Sequence, residues 1–417
     1  LFPYTTLFRS YKLFIFVCNS LSIKMLTKQQ LLEIVTEQSE NFKKKRLIKR
    51  LVDIPTESTR VVIVSGIRRC GKSTLIRQIF QDSGDAIYLN FEDPRLIGFT
   101  VEDFIRLEQI LTETGKSKLI LDEVQNIDKW EIYARSANEK GIPLFVTGSN
   151  ASMLSRELGT HLTGRYRQIE LFPFNYSEFL SYFNLEKNIE SFEKFLTMGG
   201  FPEFYNENDP DYYRTLLKDI ITRDIAVRRK ISNENQLIRL AVHLLSNIGK
   251  EFSFNNISKS LEFKSVRTVI DYCDYLKESY LIELIPLFSF SIKKQLANAK
   301  KAYCTDTALA TANSLSFSKD LGRKLENMVY NKIRQSNKEI FYFKSATAEC
   351  DFLIKQQEKI NSAIQVCWEI NSGNIDRELK GIKNAAKETG ATDVKIITFN
   401  QADNIDGIPL IPAWQWL

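Results

Sequence analysis

Histidine is nearly absent from this 417-residue chain: only His161 and His243 occur. That leaves little for histidine-based metal ligation or a hydrolytic triad. The six cysteines (Cys18, Cys70, Cys273, Cys304, Cys350 and Cys367) form no C-x-x-C pair and are spread along the whole length. The spread argues against a disulfide framework and a structural zinc site, and suits a reducing cytoplasm. No apolar run approaches 18 residues, so no transmembrane helix and no membrane partner are expected. Internal repeats and low-complexity tracts are also missing. Charge of one sign is not in large excess: 57 Lys and Arg face 51 Asp and Glu, a net of +6. Such a balance permits a nucleic-acid or acidic protein partner without requiring one.

The opening LFPYTTLFRS resembles translated adapter sequence, and no A-x-A-like cleavage site follows the short apolar stretch after it. A signal peptide is the weaker reading there. Met25 is read as the true start and residues 1–24 as a non-native leader. The remaining length suffices for two or three domains.

A helix is expected over 25–51, with a basic run from Lys43 to Arg50 read as a solvated face or a nucleic-acid contact. Five strand-like runs follow at 61–65, 86–90, 118–122, 143–147 and 167–171. Helical patterns fall between them at 72–82, 101–114, 127–140 and 152–158. This alternation predicts a doubly wound parallel α/β sheet over 25–180. A helical connector at 181–232, with long helices at 177–196 and 212–230, comes next. Three helices and a hairpin (281–286 with 287–291) then suggest a winged helix over 233–292. A mixed α/β domain over 293–417 closes the chain.

Gly66-Ile67-Arg68-Arg69-Cys70-Gly71-Lys72-Ser73 fits G-x-x-x-x-G-K-[ST], preceded by an apolar strand and opening a helix. That context is what the pattern requires. Glycines let backbone N–H groups curl round phosphate oxygens, and the helix N-terminus adds its positive end. The expected ligand is ATP with Mg²⁺. Residues 66–74, from Gly66 to Thr74, form the cradle, Lys72 reaches the β and γ phosphates, and Ser73 ligates the metal. Arg68 and Arg69 are read as facing solvent or a partner. Leu119 to Glu123 is a buried strand ending in two acids, a second metal ligand (Asp122) and a water-polarising base (Glu123). Asn150, or Ser149 beside it, is a candidate for sensing the γ phosphate, the alternative being a helix cap. Arg165 is a candidate for stabilising transition-state charge, in cis or from a neighbouring subunit in a homo-oligomer, against a plain surface arginine.

Taken with the segments LDEVQ (121–125), TGSN (147–150), LTGRYRQIELFPFNYSEF (162–179), GGFPE (199–203), DIITRDI (219–225) and IPLIPAWQWL (408–417), the chain resembles prokaryotic AAA-type P-loop ATPases. The resemblance implies an AAA/ASCE-type core, a winged-helix-like middle and a restriction-endonuclease-like end. Nucleases of that type place a Glu on a helix, an Asp on a strand and a Gln or acid two residues before a Lys. Glu326, Asp351 and Gln365 occupy the first three places, but Cys367 stands where the lysine belongs. Lys344 and Lys355 are the nearby substitutes, and a degenerate site is expected. At the start of the third winged-helix helix, Lys264, Arg267 and Thr268 suit DNA, whereas Asp271, Asp274 and Glu278 oppose it.

Overall fold

The computed structural model describes residues 26–44, 49–55, 58–148, 162, 164–207, 209–315, 320–336 and 339–417. The leader and the helix expected at 152–158 lie outside these residues.

Five short apolar runs form β1 (Val61–Ser65), β2 (Ala86–Asn90), β3 (Lys118–Asp122), β4 (Leu144–Gly148) and β5 (Tyr166–Glu170). They bond in the order β2-β3-β4-β1-β5, every neighbour parallel. Alternate residues of β1 point to opposite faces and both faces are covered, so the strands read as unbroken apolar runs. On one face Val62 and Val64 meet Leu75, Ile76 and Ile79 of α2 (Lys72–Ser83). On the other, Val61 and Ile63 share a core with Phe104 and Leu107 of α3 (Asp103–Glu113) and with Trp130 and Tyr133 of α4 (Trp130–Glu139). The first helix, α1, is described over Lys28–Lys44, and residues 49–51 at the expected end of the helix are not helical. Arg50, read as part of a solvated face, is instead buried.

Two long helices expected from periodicity are broken. The stretch 177–196 divides into α5 (Tyr176–Phe183) and α6 (Ile189–Met198), each opened by an Asn capping box. Asn184 takes a left-handed conformation after α5, which asparagine tolerates better than most residues. The stretch 212–230 is α7 (Tyr212–Asp219), then a seven-residue π-helix (Ile220–Ala226), then a last turn at Val227–Arg229. Three helices follow as expected: α8 (Glu234–Ser246), α9 (Phe254–Ser260) and α10 (Val266–Glu278). The hairpin at 281–291 does not form. β7 (Ile282–Pro286) pairs antiparallel with β8 (Lys300–Cys304), which also pairs with β6 (Glu251–Phe252). The boundary placed at 293 therefore runs through a sheet. β8 was missed because Lys300 and Lys301 open it and mask its apolar residues.

The C-terminal sheet contains β9 (Ile340–Lys344), β10 (Glu349–Gln356), β11 (Lys359–Cys367), β12 (Asp393–Thr398), β13 (Asp403–Ile405) and β14 (Ile408–Pro412). Its order is β13-β14-β12-β11-β10-β9, antiparallel at both ends and parallel where β12 meets β11 and β14. Helix α11 (Leu321–Ser336) covers one face through Leu325, Val329 and Ile333. Helix α12 (Ile375–Thr389) covers the other through Leu379, Ile382 and Ala385. Gly381 is required at that contact, since a Cβ there would lie 2.1 Å from the Glu349 carbonyl oxygen. Arg334 on α11 binds both Glu170 of β5 and Glu283 of β7, joining the three sheets.

Candidate active site

β1 ends at Ser65, and the next six residues turn the chain into α2, which begins at Lys72. Gly66 sits at φ 151°, with its α-carbon so close to β5 that a Cβ would fall 2.1 Å from the Leu171 carbonyl oxygen. No other residue fits. Arg69 (φ 64°) and Gly71 (φ 100°) complete a loop of left-handed turns. No side chain caps the N-terminus of α2, so its leading N–H groups remain a ready anion site. The Lys72 ammonium is buried and folded back over the loop, donating to the carbonyls of Gly66 (3.1 Å) and Ile67 (3.0 Å). Ser73 and Thr74, in the first turn of α2, are half-buried. Cys70 is sealed against β5, its thiol donating to the Leu171 carbonyl (3.3 Å), and burial pushes its pKa up.

Because β4 lies between β1 and β3, its tip can reach both. Thr147 on β4 donates its hydroxyl to Asp122 and accepts the Glu123 amide at 2.9 Å. Tyr88 of β2, two residues before the register partner of Asp122, donates to the other Asp122 oxygen at 3.0 Å. Asp122 is fully buried, and each of its oxygens keeps lone pairs for further donors or a hard cation. Glu123 is held at φ 54°, a left-handed position unusual for glutamate that swings it away from the line of β3. Its carboxylate accepts from Gln125. Burial raises its pKa, the nearby Lys72 ammonium opposes that shift, and the charges of Asp122 and Glu92 add to it. A carboxyl shifted upward is a stronger base when ionised.

The loop is clamped from outside. Arg50 donates to the Cys70 carbonyl (2.7 Å) and the Phe172 carbonyl (2.8 Å), and pairs with the buried Glu178 at 2.8 Å. Its guanidinium also lies 5.1 Å from the Phe174 ring centroid. Arg68 and Arg69, expected to face solvent or a partner, are tied within the chain instead. Arg68 grips Asp224 of the π-helix with two bonds, 2.9 and 3.0 Å. Arg69 reaches Asp219 (3.5 Å), Glu203 (3.4 Å) and the ring of Tyr212 (5.7 Å).

Two candidates are not brought to this site. Asn150 and Ser149 lie outside the described residues. Arg165 precedes β5 at the opposite end of the sheet: its carbonyl accepts from Val61, the first residue of β1, and its exposed side chain pairs with Glu139. Parallel register puts it a full strand length from the loop, so within one chain it cannot reach a phosphate bound there. Tyr88, Thr147, Gln125 and Arg50 support the site in ways not assigned to them from the sequence. Of these only Thr147 had a signal, being the last side chain of a strand beside the loop.

Glu326, Asp351 and Gln365 do converge in the C-terminal domain, but around an ammonium. Lys301 of β8 lies 3.5 Å from Glu326, 3.3 Å from Asp351 and 3.0 Å from Glu349. Tyr303 donates to Glu326 at 2.5 Å, and Gln365 binds the Asp351 amide (3.2 Å) and Glu378 (2.6 Å). Lys344 and Lys355, the expected substitutes, pair elsewhere, with Glu251 and Glu339. Lys301 stands between the two carboxylates that a divalent ion would bridge, so the donor set does not fit a metal. Among the described residues no group of three or more His, Cys, Asp or Glu is arranged to hold one.

Residues 58–180 match the model of an AAA domain, and residues 189–320 match a domain of unknown function, DUF8612. Among curated proteins the chain is 33% identical to the uncharacterized protein MJ1544 of Methanocaldococcus jannaschii, covering 95% of this chain and 99% of that one. It is 27% identical to an uncharacterized protein of Haemophilus influenzae, over 86% and 94% of the two chains. Among solved structures, AMPPCP-bound DnaA from Aquifex aeolicus shares 15% identity over 59% of this chain and 86% of that one, with a TM-score of 0.24. The S. cerevisiae Hsp104–ADP complex shares 13% over 61% and 39%, with a TM-score of 0.26. These overlaps are too slight to carry ligand or partner positions across. Identity over nearly the full length of both chains is a different matter: this protein belongs to one family with its archaeal relative, and it carries the P-loop AAA domain at residues 58–180.

Proposed function

We propose that the protein binds ATP with Mg²⁺ at the mouth of α2 and hydrolyses it, using the turnover to move the helical segments joined to the loop. The observation that carries this reading is the pairing of a glycine-turned loop and buried ammonium after β1 with Asp122 and Glu123 at the tip of β3, across the intervening β4. Lys72 would exchange its loop carbonyls for the β and γ phosphate oxygens. The oxygen donors of Ser73 and Asp122 suit Mg²⁺, which would offset phosphate charge. Tyr88 and Thr147 fix the Asp122 carboxylate in place. Glu123 accepts a proton from the attacking water and is aimed by its left-handed backbone. Arg165 has no part in this scheme within one chain.

What is moved follows from connectivity. The π-helix that holds Arg68 packs on α8 and α10, the helices expected to form a winged-helix-like unit. A DNA or protein partner docked there would feel the nucleotide state. The exposed Arg267 at the start of α10 pairs with Asp271 on its own helix, which favours protein over nucleic acid at that face. Nuclease activity is not part of the proposal, because Lys301 stands between the carboxylates it would require.

Glu123→Gln is the direct test. It keeps the shape and the Gln125 contact but removes the base, so nucleotide binding should persist while turnover falls by about 10²- to 10⁴-fold. Phosphate release and equilibrium binding, measured side by side, check it. Turnover within a factor of about three of the parent would remove Glu123 from the mechanism.

A further inference from the structure

The phosphate loop carries two arginines that the scheme above leaves without a chemical role, and both are bound to the same helical segment. Arg68 is the third residue of the loop and Lys72 the seventh, so both cations belong to one turn of chain around the anion site. Asp224, its partner, is almost fully buried and lies on a π-helix, a rare form that occurs frequently at functional sites. The carboxylate has a second arginine within reach: the Nη2 of Arg228, one turn along, lies 3.9 Å from Oδ1. Asp224 can therefore lose Arg68 and keep a counter-charge. Arg69, by contrast, is spread over Asp219, Glu203 and the Tyr212 ring, as a fixed anchor would be.

Phosphate and carboxylate compete for guanidinium on equal geometric terms, since both accept two parallel N–H bonds. A terminal phosphate carries more charge than Asp224 and arrives beside Lys72. The negative charges of Glu123 and Glu92 also favour the cationic form of Arg68, after the dominant hydrogen bonding to Asp224.

Resting on the ATP-binding reading above, we propose that Arg68 is a ligand of the terminal phosphate of a nucleoside triphosphate, parked on Asp224 until that phosphate arrives. The transfer leaves Asp224 to Arg228 and loosens the 220–226 helix from the loop, so Asp224 is a positioning residue. Linkage makes the coupling reciprocal: whatever favours release of the helix also tightens triphosphate binding.

The full chain is mixed with no nucleotide, with ADP or with a non-hydrolysable ATP analogue, and amide hydrogen exchange is followed across 220–229. Affinity for both nucleotides is measured by calorimetry. Exchange in 220–226 should rise with the analogue and stay near the free-protein rate with ADP, which lacks the terminal phosphate. Asp224→Asn should bind the analogue tighter on the order of tenfold, with ADP affinity little changed. Arg68→Lys should still bind both nucleotides but narrow the difference between them, since Lys72 still meets the terminal phosphate. If the wild-type chain binds both nucleotides and exchange in 220–226 is the same with either, the transfer is refuted, and no variant is needed to see it. A weaker grip of Asp224→Asn on the analogue also refutes it. Failure to bind any nucleotide overturns the phosphate-loop reading and the transfer together.

Discussion

Lys72→Ala should reduce ATP turnover by on the order of 10²- to 10³-fold, the scale observed when one preorganised charge-stabilising donor is taken from an active site. The ammonium is buried and lies within the turn of the loop, where charge interactions are stronger than in water. It also ties Gly66 to Ile67 through their carbonyls, so its loss loosens the loop that aims the amides. Two effects should then appear together: weaker nucleotide affinity and a slower chemical step. Lys49→Ala is the control, since Lys49 is exposed and a neighbour of the clamp residue Arg50. Phosphate release and nucleotide titration on both variants decide the matter. Unchanged turnover in Lys72→Ala would place the catalytic site somewhere else in the chain.

The core of the first domain was legible because buried parallel strands leave a simple trace. Three of its five strands begin and end where their apolar runs do, and β4 and β5 are offset by one residue. The phosphate loop was legible because the left-handed turns at Gly66 and Gly71 demand glycine at fixed spacing. What could not be read was the support around it. Tyr88 and Arg50 lie far from Asp122 and Cys70 in sequence, and no local pattern announces a hydrogen bond between them. The basic run ending at Arg50 has the composition of a solvated face, yet its last member is buried because Glu178 and two carbonyls are there to receive it.

The segments that carry the family resemblance gain a physical meaning from this. LTGRYRQIELFPFNYSEF supplies the Leu171 carbonyl against Gly66, the Phe172 carbonyl for Arg50 and Glu178 as its counter-charge. GGFPE packs back on the same strand exit, Phe174 donating to the Gly200 carbonyl at 2.7 Å. DIITRDI contributes Asp219 and Asp224, which hold the two loop arginines. These motifs read as unrelated signatures along the chain, but in space they form a collar around the phosphate loop.

The largest stability effect is expected far from that loop, at Lys301→Met. Removing one partner of a buried ion pair costs about 3–5 kcal/mol, because the remaining charge keeps its desolvation penalty without compensation. Here a single ammonium serves Glu326, Asp351 and Glu349. Burial works against the charged Lys301, and the three acids outweigh it and raise its pKa. Glu326 is pushed up to about 7, first by burial and then by Asp351, with Lys301 opposing both. A carboxyl whose folded pKa lies above its unfolded value favours the fold in its protonated form. Its contribution is full below about 4.5, declines as pH rises toward 7 and is gone above that. Without Lys301 the Glu326 carboxyl should hold its proton to still higher pH. The variant should therefore be penalised more at pH 8, where wild-type Glu326 is ionised against the ammonium, than at pH 5, where it is protonated in both proteins. Urea unfolding of both proteins at the two pH values measures the difference. A penalty below about 1 kcal/mol at pH 8, or one equal at both, would mean that the ammonium does not hold these carboxylates together. The cluster would then lack the charge balance that argues against a metal in its place.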